Sequence, residues 1–540
     1  MNISAWTRIE LQSGSLAYER RLGVTELGFY WDTVFERTAD TIQHVELEIQ
    51  QSDRMDLVDL RNVGNAWLTL KQQFPLLGAR LEEREEGKEV FFVVDQAQLV
   101  RSRPEEIEYR TVSSGEQAQA IVDKVVIEQC LSNDLPAKVL FLPRIDQPNI
   151  FHIVVIVAHC ITDGTANTTI IRTFLDYLCS ASSRNTTWPL EQRLALSVAS
   201  EEVDPNRHLS PAKKRWRRAI GYTIAALRAS KISGGHTLPR KVSPVTRYTP
   251  ARSSRIDYSF SKELSNLILQ TCHRNHITFG SAYPVIAQVA LTRVLCRRYI
   301  RGDISQMEWQ FRRREPMVTG GPLSLRPFLD QEWFKQGGAS NVSLAISFFD
   351  YTLPFMPLGS ASSILPGSAL PSFHQLLSPQ RFLLRCISIK RQAAHLIKHP
   401  LFLEIAGARM PERAESLRNF GSHWRRDKAA PKDLDDGVIS AVEQASKSPV
   451  WTHGGSSFGN ADLLLPREYP TTSEPSAAAL IRIRTSTNHL RCRPTELYLG
   501  ATTIRQQLHL HVFSDSNVYD EETVKEWLEE VKNATTLYLG

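Results

Sequence analysis

The sequence predicts a mixed α/β (α+β) fold of two lobes, each a mixed sheet flanked by helices. Three observations lead there. The 540 residues exceed what one ordinary core holds together. Residues 151–178 run from a β-branched stretch (Ile153, Val154, Val155, Ile156, Val157) through a polar loop into helix-spaced Ile170, Ile171, Phe174, Leu175 and Leu178. Strand and helix patterns then alternate again after residue 255. The expected division is an N-terminal lobe over residues 1–185, a crossover over 186–254 and a C-terminal lobe over 255–540.

In chain order, residues 15–49 mix Phe29, Tyr30, Trp31 and Phe35 with charges, and read as a strand or two opening the first lobe. Residues 56–73 place Leu57, Leu60, Val63, Trp67, Leu68 and Leu70 near a 3.6-residue period, a helix that Pro75 ends. A strand follows at 89–94 and an amphipathic helix at 117–130, with Ile121, Val125, Val126 and Ile127 apolar. Residues 137–143 and 150–158 are apolar runs joined by Asp146, Gln147, Pro148 and Asn149, a hairpin that delivers His159. Residues 184–255 turn to Ser, Pro, Gly and basic residues. Their KKRWRR run (213–218) is expected on a helix whose Ile220, Ile224 and Leu227 face the protein while its charges face solvent. Nuclear localisation, nucleic-acid binding or contact with donor phosphates are the other uses of such charges.

The second lobe opens with a strand at 255–260. A helix from Ser261, an N-cap with Glu263 in the first turn, reaches about His273. Residues 281–299 are the most apolar helix. Loop-rich chain around Arg326 (316–341) precedes a strand at 342–349, and a Pro-, Gly- and Ser-rich surface excursion fills 353–371. A helix at 378–399, a polar and partly mobile stretch at 412–446, strands at 478–485, 496–501 and 506–513, and a helix at 523–535 complete the chain.

The net charge of +6, from 64 basic and 58 acidic residues, is mild and does not call for nucleic acid. Seven cysteines without CxxC spacing argue against a zinc site or a disulfide framework, and fit a reducing compartment. The N-terminal residues lack a signal-peptide core, and no apolar run reaches the ~20 residues that span a bilayer. A soluble cytoplasmic monomer with no metal, nucleic acid or membrane span is expected. Sequons at Asn167 and Asn185 would then be incidental.

His159 closes the strongest strand, and loops at strand ends hold functional groups at a reachable rim. An imidazole near pH ~6.5 in one tautomer accepts a hydroxyl proton at neutral pH. The plainer reading makes His159 a satisfied polar residue, Asp163 a helix N-cap and Gly164 a turn. Spacing alone leaves both open.

His159-Cys160-Ile161-Thr162-Asp163-Gly164 is an HxxxDG string, and it resembles the signature of the BAHD and condensation-domain acyltransferase superfamily. Ala66-Trp67-Leu68 and Phe74 to Arg80 resemble its N-terminal helix and closing arginine; Gly321 to Pro327 and Asn341 to Leu344 resemble its arginine-bearing strand and the strand after it. Within the superfamily the chain is most similar to fungal O-acetyltransferases of the trichothecene 15-O-acetyltransferase type. Two chloramphenicol-acetyltransferase-like lobes are implied.

The resemblance implies His159 and Asp163 as the catalytic pair. His159 would be the general base for attack on an acyl-CoA thioester, and Asp163 would turn away to pair with an arginine, for which Arg326 is the candidate. Ser457-Phe458-Gly459-Asn460-Ala461 stands in the place of the plant DFGWG motif and departs at three of five positions. With Gly164, its Ser457, Gly459 and Asn460 are the expected substrate-binding residues. No cofactor is bound in this reading; acetyl-CoA is co-substrate and a small-molecule alcohol, such as a sesquiterpenoid, is the acceptor. A stand-alone condensation-type enzyme with a carrier-protein donor, or a non-catalytic binding protein of the same fold, are the alternatives. The second histidine of condensation domains is Ala158 here, which favours free CoA.

Four constellations compete. Gly455-Ser456-Ser457-Phe458-Gly459 matches the GxSxG of a hydrolase elbow, but lacks the buried strand before it and the helix after it. Cys160 beside His159 would point to the opposite face if the backbone is extended. His509 and His511 share a strand face without a third ligand and are expected to face solvent. Gly320 and Gly321 have no phosphate-loop spacing.

Overall fold

The β-branched run Ile150–Val157 is buried along its whole length, which fixes it as a central strand covered on both faces. The computed structural model describes residues 5–128, 130–180, 189–471 and 478–540. Ile150–Val157 pairs antiparallel with Ala137–Pro143 on one side and Thr41–Ile49 on the other. In order, the six-stranded sheet is Glu468–Tyr469, Ile481–Leu490, Thr41–Ile49, Ile150–Val157, Ala137–Pro143 and Ile107–Tyr109, the last pair parallel. Helices Leu60–Gln73 and Gly164–Leu178 meet through Trp67 and Phe174, edge to face at 5.9 Å. A four-stranded antiparallel sheet, Thr7–Glu10, Leu16–Arg21, Glu89–Asp95 and Arg80–Arg84, completes the first lobe.

The second lobe has its own core and a mixed six-stranded sheet: Ile346–Leu353, Met317–Ser324, His453–Asn460, Leu497–Ile504, Gln507–Asp515 and Ser253–Ser259. Two of its pairings are parallel. Gly320 and Gly321 find their use here. A Cβ on Gly321 would land on the Gly455 carbonyl of the neighbouring strand, so glycine permits the close approach. Mixed sheets flanked by helices are the predicted fold class.

One strand crosses between the lobes. Ile481–Leu490, from the C-terminal part of the chain, lies in the first lobe's sheet beside Thr41–Ile49, whereas Leu497–Ile504 returns to the second. The first lobe's sheet is therefore assembled from both ends of the sequence.

Several expectations need correction. Phe29, Tyr30 and Trp31 lie on a helix, Val24–Val34, between the two strands of that region. The stretch expected to be loop around Arg326 contains the strand Met317–Ser324 and a short helix, Gln331–Lys335. The following strand begins only at Ile346, because the backbone of residues 341–345 is engaged with Arg326 and Asp163 instead of a ladder. In the expected surface excursion, Met356, Leu358 and Ala361 are core residues. The polar stretch after residue 410 is the helix Met410–Asp427, packed on Val24–Val34 with Trp424 edge-on to Phe35 at 4.7 Å. On the basic helix Pro211–Ala229, Gly221 and Ala225 are buried, while Leu227 points outward. His509 and His511 are half-buried, and His509 Nδ1 lies 2.7 Å from Ser259 Oγ. Phe279–Arg301 is, by length and composition, apolar enough to cross a membrane; it lies inside the second lobe's core, with Arg293 and Arg297 paired to Glu530. Asn167 is buried and accepts from Thr162 Oγ1 at 2.7 Å, whereas Asn185 and the expected lobe end at residue 185 lie outside the described residues.

Candidate active site

The central strand ends at Val157, and His159 opens a single 3₁₀ turn, His159–Ile161. His159 is half-buried and its Nδ1 makes no well-formed hydrogen bond. Burial pushes its pKa down to about 4; the carbonyls of His159 and Thr162 favour the protonated ring, and the Arg493 charge opposes it. The ring is neutral at physiological pH. Cys160 is fully buried, and burial pushes its thiol well up, which removes it as a thiolate nucleophile.

Asp163 caps the helix Gly164–Leu178 and holds the turn to the rest of the molecule. Its Oδ1 accepts the Thr165 and Ala166 N–H groups at 3.1 and 3.0 Å. Its Oδ2 accepts Arg326 Nη1 at 2.5 Å and the Ala345 N–H at 2.9 Å. Arg326 also donates to the carbonyls of Ser343 and Asn341. Both side chains are 2 % exposed, so a carboxylate bonded on both oxygens has nothing left for proton transfer. The structure thus brings together His159, Asp163 and Arg326.

A layer that the sequence did not disclose covers the imidazole. The Phe29 ring stacks on His159, with centroids 4.0 Å apart and planes 18° from parallel. Beyond Phe29, the Arg413 and Arg493 guanidinium groups lie 5.6 and 5.7 Å from its centroid. Both donate to Asp32 Oδ2, at 2.8 and 2.7 Å. Burial raises the Asp32 carboxyl, but Arg493 and Arg413 outweigh it and hold the group below its usual range. Phe29 and Asp32 sit three apart on one helix face. That spacing is the sequence signal for this layer, and the consecutive aromatics of residues 29–31 mask it.

Of the other expected residues, Gly164 starts the helix that Asp163 caps, and Ser457, Gly459 and Asn460 lie on one strand of the second sheet. Gly164 is exposed, and a Cβ there would come 3.2 Å from the Phe458 ring. Phe458 therefore carries the second lobe onto the start of the Asp163-capped helix. Ser457 lies within the strand His453–Asn460, which is irregular between Ser457 and Gly459 and is followed by one 3₁₀ turn, so the nucleophile elbow is absent. Gly459 has φ +77°, and the exposed Asn460 caps that turn by accepting from the Asp462 N–H. Among the described residues no group of three or more His, Cys, Asp or Glu is arranged to hold a metal ion.

No family model and no curated protein sequence matches the chain. Solved structures do. TRI3, the trichothecene 15-O-acetyltransferase of Fusarium sporotrichioides, superposes over 100 % of this chain and 99 % of its own, with a TM-score of 0.68 at 12 % identity. The condensation domain of the Monacolin K polyketide synthase MokA matches over 96 % of this chain and 97 % of its own, with a TM-score of 0.60 at 9 % identity. The first condensation domain of the calcium-dependent antibiotic synthetase, in complex with a substrate analogue, matches over 96 % of both chains with a TM-score of 0.58 at 11 % identity. These likenesses show the fold: two mixed sheets flanked by helices, arranged as in condensation-domain and chloramphenicol-acetyltransferase-like proteins.

Proposed function

We propose that this chain is an acyl-CoA-dependent O-acyltransferase that acetylates a hydroxyl of a small-molecule alcohol, with His159 as general base. The observation that supports it best is the locked turn. Asp163 is bonded on both oxygens and tied to Arg326, so the backbone presenting His159 is fixed before substrate arrives. The proposal takes the Nδ1–H tautomer, in which the lone pair falls on Nε2.

In this reading the acceptor hydroxyl gives its proton to His159 Nε2 as its oxygen attacks the thioester carbonyl carbon. The C–S bond then breaks, and the proton passes to the departing sulfur to give the free thiol. No acyl-enzyme forms. Acetyl-CoA is the proposed co-substrate, without a bound cofactor, and a sesquiterpenoid alcohol the proposed acceptor class, because TRI3, a trichothecene acetyltransferase by name, shares this fold over its whole length. Gly164, Ser457, Gly459 and Asn460 are retained as proposed substrate contacts. A cytoplasmic monomer that binds no nucleic acid accompanies the proposal.

The test is thiol release from acetyl-CoA by the wild type and by His159→Ala, against hydroxylated sesquiterpenoids and simple alcohols. Acceptor-dependent release abolished in the variant supports transferase and base together. Acceptor-dependent release retained by His159→Ala removes the base, and failure of either protein to bind acetyl-CoA moves the carrier-protein and non-catalytic alternatives ahead.

A further inference from the structure

Segments 240–247 and 434–451 close with the loop 493–497 around a cavity of about 660 Å³. Small-molecule sites typically enclose ~300–1,000 Å³. Its walls are mainly apolar, contributed by Val242, Leu434, Ile439, Trp451 and Pro494. Trp451 is 46 % exposed, a large ring left without a full cover.

The charges in this wall balance, with two exceptions. Lys447 Nζ lies 2.7 Å from Glu443. Arg493 and its neighbour Arg413 share Asp32, and Glu496, the carboxylate in the wall, accepts the Arg493 N–H and lies 3.8 Å from its guanidinium: two cations with two carboxylates. Arg247 is exposed and stacks on Tyr248. Arg240 is different. It is half-buried and donates Nε to Gln444 Oε1 and Nη1 to the Tyr519 hydroxyl, each at 3.1 Å. Both partners are neutral and buried, so they aim the guanidinium without compensating it. Among the described residues Arg240 has no carboxylate within ion-pair distance. The neighbouring Arg312–Glu308 pair is already matched, and the Arg240 charge adds to burial in lowering the Arg312 pKa.

We propose that this cavity binds a singly charged organic acid with an apolar body, its carboxylate held by Arg240. One guanidinium fork matches one carboxylate bidentately. A ligand with several phosphates needs several free cations held in place; Lys447 and Arg493 are already paired and Arg247 is exposed against Tyr248, which leaves Arg240 as the one half-buried cation of the wall without a carboxylate among the described residues. The site adjoins the candidate active site: Arg493, in its wall, lies over Phe29, which stacks on His159. The inference does not rest on the transferase reading, because it is read out as binding.

The test is calorimetric titration of the full chain with straight-chain acids of eight to twelve carbons and tricyclic resin acids, each beside its methyl ester, and with 3′,5′-ADP. Wild type, Arg240→Met, Arg240→Lys and Trp451→Ala are compared, with thermal unfolding as the check on folding. An acid is expected to bind the wild type about ten-fold tighter than its ester, the scale of one charge-assisted hydrogen bond. Arg240→Met should erase that preference and Arg240→Lys keep part of it. Trp451→Ala should weaken acid and ester alike, a result that stands even if the Arg240 variants fail to fold. Equal binding of acids and esters, no binding of either, or a preference that survives in Arg240→Met overturns the proposal. So does loss of 3′,5′-ADP binding in place of acid binding, which would make this a phosphate site.

Discussion

Phe29 lies flat on His159 at 4.0 Å, and it is the contact that orients a ring whose Nδ1 has no well-formed hydrogen bond. Phe29→Leu keeps apolar volume but removes the flat face. It should cost no more than about 1.5 kcal/mol of stability. Acceptor-dependent thiol release, by contrast, should fall between about ten- and a hundred-fold, because small misplacements of a reacting group are that expensive. Thiol release and thermal unfolding measured on one preparation separate the two effects.

Asp163 and Arg326 form a buried ion pair, and each makes further hydrogen bonds to backbone. Removing one member leaves the other charge unpaired. Asp163→Asn or Arg326→Met should each lower unfolding stability by about 3–5 kcal/mol, and the double variant by clearly less than the sum. Urea titration of the four proteins gives the coupling. A soluble Asp163→Asn of wild-type stability with only a kinetic defect contradicts this arrangement.

The pKa of His159, near 4, sets the acid limb of the proposed reaction. The unfolded imidazole titrates near ~6.5. A depressed folded value means that the ring stays neutral, and active, until the pH approaches 4. Thiol release at pH 5.5 should therefore stay within about two-fold of its value at pH 7.5; a base of ordinary pKa would lose about ten-fold. The same shift makes the unfolded state bind more protons between pH ~6.5 and 4, so stability is full above that window and falls as the pH drops through it. His44, whose pKa burial lowers to about 3, adds to the fall. Urea titrations at pH 7.5 and 5, with His159→Gln as control, measure the His159 share.

Gly321 faces the Gly455 carbonyl across two parallel-running strands of the second sheet. Gly321→Ala must push those strands apart, because backbone cannot swing aside as a flexible side chain does. A loss of at least about 1–3 kcal/mol is expected. Gly164→Ala meets only the partly exposed Phe458 ring and should cost less than about 1 kcal/mol. Thermal unfolding of the two variants side by side is the check.

The strand Ile150–Val157 and the helix Gly164–Leu178 were legible because each rule agreed: β-branched residues on both faces, then an N-cap, then helical spacing. Asp163 and Arg326 came from the resemblance, since no local pattern pairs residues so far apart in sequence. Phe29 and Arg413 were not legible. Their helices, Val24–Val34 and Met410–Asp427, hide their character in consecutive aromatics and in charge, and become helices through packing on each other. Met317–Ser324 is hidden in the sequence because its glycines and proline are poor strand formers, although the approach of the neighbouring strand at Gly321 requires the glycine.

The placement of Ile481–Leu490 beside Thr41–Ile49 ties the order of synthesis to the order of folding. A chain emerging at roughly 5–20 residues per second completes most of the first sheet, then leaves the edge of Thr41–Ile49 open for tens of seconds until its partner arrives. An open edge of that kind is a template for pairing with another chain. Nascent protein should therefore depend on chaperones more than its finished stability implies. Dividing the gene in the crossover would leave the first half without two strands of its sheet, Glu468–Tyr469 and Ile481–Leu490, whereas a split that hands both to the N-terminal half would restore it.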